Sequence, residues 1–111
     1  MKAKAVDVPA HLQPATRGWY QSVVERWALE PHHRMLLQAA CETWDRLQQS
    51  RALLDSQGLT LAGREGVKVH PAVAIERDSR LAFARLIREL DLDLDPPAAA
   101  DMRPPKLRSV R

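Results

Sequence analysis

Apolar residues recur every three or four positions in three stretches of the chain, a spacing that predicts three amphipathic helices. The first stretch covers roughly residues 16–29, with Thr16 as a candidate N-cap. Glu30-Pro31 predicts a break after it, because the residue before a proline is pushed out of the helical region. The apolar face of this predicted helix consists of Trp19, Tyr20, Val23, Val24 and Trp27.

A second, longer helix is predicted over roughly residues 31–57, since Pro31 fits a first helical turn and Gly58 follows the last periodic residue. Glu42 and Arg46 lie four apart on its outer side, where they can pair. The connection to the first helix is short, so the two helices are expected to fold back as an antiparallel pair. The predicted buried stripe comprises Leu37, Ala40, Trp44, Leu47 and Leu54.

The residues after Gly58 change from a helical to an alternating pattern. Leu59–Leu61 and Val67–Val69 flank a turn that contains Gly63 and Gly66, which is typical of a short β-hairpin. A ribbon of two short strands is not stable alone, so it must pack against the helices or against a neighbouring subunit.

A third helix is predicted over roughly residues 71–91, with a buried stripe of Ile75, Ala82, Phe83, Leu86 and Leu90. Leu81 and Ala74 lie off that stripe, near several arginines. A single exposed leucine is ordinary in a soluble protein. The alternative is that Leu81 belongs to a contact between subunits.

The predicted fold class is therefore mainly α: an antiparallel helical hairpin, a short β-hairpin and then a third long helix, with flexible termini. Residues 1–14 are interpreted as an N-terminal arm, residues 15–95 as one small helical domain, and residues 96–111 as a flexible, basic, proline-rich tail. A domain of this size buries a modest share of its surface, so oligomerisation is a natural way to gain stability.

The net charge of +3 is not spread over the predicted domain. Residues 15–95 hold eleven Lys/Arg against twelve Asp/Glu, whereas residues 96–111 hold four against one. The excess positive charge thus lies mainly in the tail, which favours contact between that tail and a polyanion.

Composition and motifs argue against several classes of protein. The sequence contains no apolar run long enough for a membrane span and no leader-like stretch. The lone Cys41 suits a reducing compartment, so a cytoplasmic location is expected. His32 and His33 are adjacent and point about 100° apart on a helix, so no metal site is predicted. Neither an activated nucleophile nor a phosphate-binding glycine loop is recognisable, and no cofactor or enzymatic activity is expected.

Several arginines lie on the predicted third helix, and acidic residues lie between them in the sequence. Two interpretations remain: a salt-bridged solvent face, or a contact with DNA phosphates. The basic tail is a second electrostatic candidate, because flexible Lys/Arg can reach phosphates without base readout. Zinc-finger spacing, a leucine zipper and a clear helix-turn-helix signature are absent from the sequence.

The segment from Gly58 to Ile75 resembles the signature region of short phage terminase small subunits. In that family a long helix ends in a glycine-leucine-threonine turn, here Gly58-Leu59-Thr60, and a hairpin follows. A lysine-x-histidine-proline-alanine entry to the last helix is matched by Lys68-Val69-His70-Pro71-Ala72. His70 is expected to cap or anchor the hairpin. The resemblance extends over roughly residues 15–97. It departs from many members at Leu92–Pro97, which replaces a threonine-proline-serine-arginine segment.

The resemblance implies a non-catalytic DNA-packaging adaptor that forms a ring, binds DNA weakly or without sequence specificity, and recruits and regulates the large terminase ATPase-nuclease. Similar proteins occur in gene transfer agents. A free-standing DNA-binding regulator is the alternative. The candidate oligomer contacts are Leu81, Ala74, Val67 and Val69. The candidate DNA-binding residues are Lys2, Lys4, Arg17, Arg64, Lys68, Arg77, Arg85, Arg88, Arg103, Lys106, Arg108 and Arg111.

Overall fold

The computed structural model describes residues 7–92 of the chain. Within them the fold is mainly helical, with a β-hairpin between the second and third helices, which confirms the predicted fold class. The predictions for the basic tail and for the first six residues lie outside the described residues. The elements in chain order are α1 (Pro14–Arg26), α2 (Pro31–Gln57), β1 (Thr60–Gly63), β2 (Gly66–Val69) and α3 (Ala72–Leu90).

The bounds of α2 are those predicted. Pro31 occupies its first turn, where the missing N–H leaves no hydrogen bond unmade. The Glu30 N–H donates to Nδ1 of His33 at 3.3 Å. At the other end Gly58 stops the helix with φ of 84°, a backbone conformation that favours glycine. Its N–H donates to the carbonyl of Leu54 at 2.8 Å.

The predicted start of α1 is wrong, and so is the assignment of Thr16 as its N-cap. The helix begins at Pro14, and Thr16 is buried within it. The Thr16 hydroxyl donates to Oδ1 of Asp45 at 2.6 Å, and the Gln13 N–H donates to Oδ2 of the same carboxylate at 2.9 Å. The start of α1 is thus stabilised by Asp45 of α2 instead of by an N-cap side chain within α1.

The predicted end of α1 at residue 29 is also wrong. The backbone is already extended at Trp27, with φ of −120° and ψ of 144°. This extended link lets Trp27 and Leu29 both pack against the core, which a continuous helix would not allow at two-residue spacing.

α3 runs antiparallel to α2 along most of its length, because the β-hairpin reverses the chain. His70 meets Gln57 at the hairpin end, and Leu37 and Leu90 share a core cluster at the other. α1, with half the residues of α2, packs back along the first half of α2. The expected antiparallel pair of α1 and α2 is therefore present, but α2 packs far more extensively with α3.

The core lies where all three helices meet, and the segment before α1 contributes to it. Leu12 is buried, although it lies within the predicted N-terminal arm. The predicted buried stripes are wrong at three positions: Trp44 is 37% exposed, Ile75 is 43% exposed and Ala82 is exposed. Three helices cannot cover both sides of the α2–α3 pair. The core cluster comprises Leu12, Tyr20, Val23, Leu37, Cys41 and Leu90.

The predicted hairpin is present as two antiparallel strands, in the register Thr60 with Val69 and Gly63 with Gly66. Gly66 has φ of 110°, so one of the two candidate glycines adopts a positive φ. All residues of both strands are exposed. The helices therefore leave both faces of this ribbon uncovered.

Candidate functional site

The face of α3 that points away from α2 is an exposed arginine face. Ala72, Ser79 and Leu90 are buried and define the inner side of the helix. At 100° per residue, Leu81 lies on the opposite side and is 56% exposed. The exposed residues that share this outer side are Ala74, Arg77, Leu81, Arg85 and Arg88.

Ion pairs separate the arginines of α3 into two groups. Arg80 and Arg51 both approach Oε2 of Glu76 at 3.4 Å, on the side of α3 next to α2. On the outer face, Arg77 lies 3.3 Å from the neighbouring Asp78, and both are exposed, so this pair is weak. Arg85 forms no ion pair with any residue from 7 to 92, nor does Arg88. The outer face thus keeps cations that no residue from 7 to 92 neutralises.

The β-hairpin offers an uncovered apolar face. Residues paired across an antiparallel ribbon share a face, so Val67 and Val69 lie on the same side as Ala62 and Thr60. Val67 is 71% exposed and Val69 is 67% exposed.

Lys68 lies on the opposite side of the ribbon, with Nζ 3.9 Å from Oε1 of Glu65, and Arg64 occupies the turn. Arg17 is exposed on α1. The described candidate DNA-binding residues therefore lie on three separate elements, and only those of α3 share one face. The remaining candidates lie outside the described residues: Lys2, Lys4, Arg103, Lys106, Arg108 and Arg111.

An apolar groove between the three helices was missed by the sequence analysis. Trp19 forms its α1 wall, and the rings of Trp44 and Phe83 meet at its floor, with centroids 5.0 Å apart. The cavity has a volume of about 470 Å³. Helical spacing places Trp19 and Phe83 on inward faces and predicts a buried Trp44, but it does not indicate that the seam between the helices stays open. The groove is lined by Ala15, Thr16, Trp19, Trp44, Phe83 and Ile87.

Asp45 is a second feature that the pattern analysis missed. It is buried, and its carboxylate holds the start of α1 through Gln13 and Thr16. The burial of Asp45 could have been predicted from its position four residues after Cys41 and eight after Leu37, on the side of α2 that faces the core. A carboxylate there requires partners.

His70 and Cys41 both have surroundings that are typical of residues with a structural role. His70 Nδ1 accepts from the Ala72 N–H at 3.0 Å, and Nε2 bonds the Gln57 side chain at 2.7 Å. This confirms that His70 caps α3 and anchors the hairpin. Burial, with smaller contributions from the charges of Asp45 and Glu42, raises the pKa of Cys41 to about 12. A thiol with that pKa is a poor nucleophile near neutral pH.

Glu42 bonds residues other than the predicted Arg46. Its Oε2 accepts from Gln38 at 3.0 Å and lies 2.7 Å from Nε2 of His11. The Gln38 hydrogen bond, together with that of His11 and the charges of His11 and Arg46, lowers the pKa of Glu42. The Arg46 guanidinium reaches Gln49 instead.

Between residues 7 and 92, no three His, Cys, Asp or Glu side chains come together in a way that would hold a metal ion. None of the described helices is both long enough and apolar enough to cross a membrane. The described surface offers an arginine face, an apolar ribbon and an apolar groove. The described residues thus form a small, mainly helical protein with exposed basic and apolar surfaces.

Comparison with protein families identifies the group to which it belongs. A family model described as phage terminase, small subunit, matches residues 19–106. The match spans most of α1, all of α2, the hairpin and α3, so the chain belongs to the phage terminase small subunit family. This membership supports a role in phage DNA packaging. No curated protein and no solved structure matched the chain.

Proposed function

We propose that this protein is a non-catalytic DNA-packaging adaptor, which oligomerises as a ring, binds DNA weakly and without sequence preference, and recruits and regulates the large terminase ATPase-nuclease in the host cytoplasm. The observation that carries the DNA-binding part is the outer face of α3. There Arg85 and Arg88 point away from the body and are not neutralised by any described residue.

The geometry of this face favours contact with phosphates. Arg77 and Arg88 are about 16 Å apart along the helix axis, at 1.5 Å per residue. Duplex DNA presents a phosphate charge every 3.4 Å or so along each strand, so several arginines of one helix can be neutralised together. Contacts of this kind position a protein on DNA without reading its sequence. Repetition of the face around a ring would raise the affinity by avidity.

The hairpin supports the oligomeric part of the proposal. Val67 and Val69 form an apolar face that no described residue covers, and a neighbouring subunit would remove that face from water. Leu81 and Ala74 are candidate contacts on α3. Both share the outer side of α3 with the arginines, so a ring contact through Leu81 would compete with a DNA contact on that face.

The DNA-binding proposal is tested by the salt dependence of affinity for a nonspecific duplex. The variant Arg85→Gln/Arg88→Gln should bind more weakly, and the slope of log affinity against log salt should fall by about 2, since each lost phosphate contact removes roughly one unit. The matched control is Arg80→Gln on the same helix, whose side chain is already paired with Glu76. Equal slopes in all three proteins would contradict a role for this face.

The tail is tested separately by deletion of residues 98–111. Loss of DNA affinity or of stimulation of the large subunit would assign the tail a role, whereas unchanged values of both would remove it from the mechanism. Light scattering at tens of micromolar tests the ring, and a strict monomer at that concentration would contradict it.

A further inference from the structure

Two apolar surfaces on the described residues carry no charged side chain. One is the groove, with a volume of about 470 Å³, whose lining residues are all uncharged. The other is the ribbon face, which we define as the side of the β-hairpin that bears Thr60, Ala62, Val67 and Val69. All four of these residues are exposed. Either surface can be covered without burying an unpaired charge, whereas Leu81 lies among the arginines of α3.

The ribbon face cannot reach the groove of its own chain. His70, at the base of the ribbon, bonds the Gln57 side chain at 2.7 Å. Gln57 lies thirteen residues beyond Trp44 of the groove floor, which is about 20 Å along α2 at 1.5 Å per residue. Each strand of the ribbon has four residues, which span about 13 Å. The two surfaces can therefore meet only between two copies of the chain.

The spacing of the two valines fits the length of the groove. Val67 and Val69 point to the same side of the ribbon and lie about 7 Å apart along the strand. The walls of the groove are formed by residues 15–19 of α1 and residues 83–87 of α3, each about 6 Å long at 1.5 Å per residue. One valine therefore fits at each end of the groove, and both leave water when the ribbon enters.

A ring requires two different contact surfaces on each subunit. A surface that meets its own copy gives a two-fold contact, which closes at two subunits. A ring of more than two subunits is built by a head-to-tail contact, in which one surface of a subunit meets a different surface of the next. The groove is concave and the ribbon projects from the end of the α2–α3 pair, so they form a pair of this kind.

We propose that the ribbon face of one copy docks in the groove of the next, with Val67 and Val69 inserted between α1 and α3 of that copy. The contact covers the exposed edge of Trp44 in one copy and the exposed valines in the other. Leu81 points away from α2 and from the groove, so the outer arginine face of α3 stays outside the contact. The inference rests on the proposed ring, because it names the two surfaces through which the ring is built.

Disulfide trapping between copies tests the contact in the full-length protein. Co-expressed Ala15→Cys and Val67→Cys chains should form covalent dimers under mild oxidation, and mass spectrometry should find one chain of each kind in every dimer. Neither variant alone should dimerise, because each position meets the other and not itself. In the matched control, Lys68→Cys replaces Val67→Cys on the opposite side of the ribbon and should react far more slowly. The native Cys41 is fully buried and does not compete. Dimers of Val67→Cys alone, or equal rates with Lys68→Cys, would overturn the inference.

The mass measured by light scattering separates failure of this contact from failure of the ring. Ala15 is exposed, so Ala15→Glu should leave the fold intact, but it places a carboxylate in the groove and should reduce the assembly to a monomer. Arg17→Glu introduces the same side chain on the opposite side of α1 and should keep the wild-type mass. If Ala15→Glu assembles as the wild type does, the groove has another occupant and the inference is overturned, while the ring stands. A monomeric wild type contradicts the ring itself and the inference with it.

Discussion

At the residue scale, the contact between α1 and α2 depends on one buried carboxylate. Asp45 accepts one hydrogen bond from the Gln13 backbone and one from the Thr16 hydroxyl. Both donors lie at the start of α1, where backbone N–H groups have no partner within the helix. The carboxylate thus satisfies a helix terminus and holds two helices together. His11 and Glu42 reinforce the same junction at the surface.

Asp45→Ala should therefore destabilise the fold by about 1–3 kcal/mol, because it leaves the buried Thr16 hydroxyl unpaired and removes the partner of the part-buried Gln13 N–H. Equilibrium unfolding in urea measures the change in the free energy of unfolding. Asp55→Ala is the control, since Asp55 is exposed on the same helix. If the free energy of unfolding falls by the same small amount in both variants, Asp45 does not anchor α1.

Cys41 should resist alkylation in the native protein. Its thiol pKa is raised from 9.0 to about 12, chiefly by burial, so the thiolate is scarce below pH 9. Iodoacetamide at pH 8 should modify the chain rapidly in urea and slowly without it, which mass spectrometry can follow. Because the folded pKa is the higher one, stability linked to this thiol is fully present below pH 9 and falls as the pH rises toward 12. Rapid native modification would contradict the buried position.

At the element scale, local signals predicted α2 and the hairpin well, and α1 less well. α2 has a proline at its start, a glycine at its end and a long periodic pattern between them, and all of these act locally. The limits of α1 depend on Asp45, which comes from a different helix, and on the packing of Trp27 and Leu29. Contacts of that kind cannot be read from the first thirty residues alone.

The two glycines of the hairpin turn provide a matched pair of substitutions. Gly66→Ala should destabilise the hairpin by about 1–2 kcal/mol, because φ of 110° is strained for a residue with a Cβ. Gly63→Ala should cost less, since a Cβ there meets only the Gly66 carbonyl oxygen at 3.7 Å, an ordinary contact. Hydrogen exchange of the strand amides measures the difference. Greater loss in Gly63→Ala would contradict the observed turn.

At the scale of the whole molecule, the sequence correctly predicted the order of elements and the location of Leu81 off the buried stripe. It could not predict every ionic partner of the arginines, because Glu76 pairs with Arg80 four residues along its own helix but with Arg51 only through the packing of α2 on α3. The groove could not be predicted from the spacing of apolar residues either. Trp44 and Phe83 are apolar at helical spacing, and only the seam between three helices leaves their edges open.

Oligomerisation should make thermal stability depend on protein concentration, because a partner that binds only the folded state stabilises it by mass action. The midpoint of unfolding should rise with concentration in the wild type and stay constant in Val67→Asp/Val69→Asp. Both valines are about 70% exposed in the single chain, so these changes should cost the isolated fold little. Gln49→Asp is the control, since it introduces an acidic side chain at an exposed position of α2. If the double variant keeps the concentration dependence, subunits associate through a surface other than the hairpin, and the outer face of α3 around Leu81 becomes the next candidate.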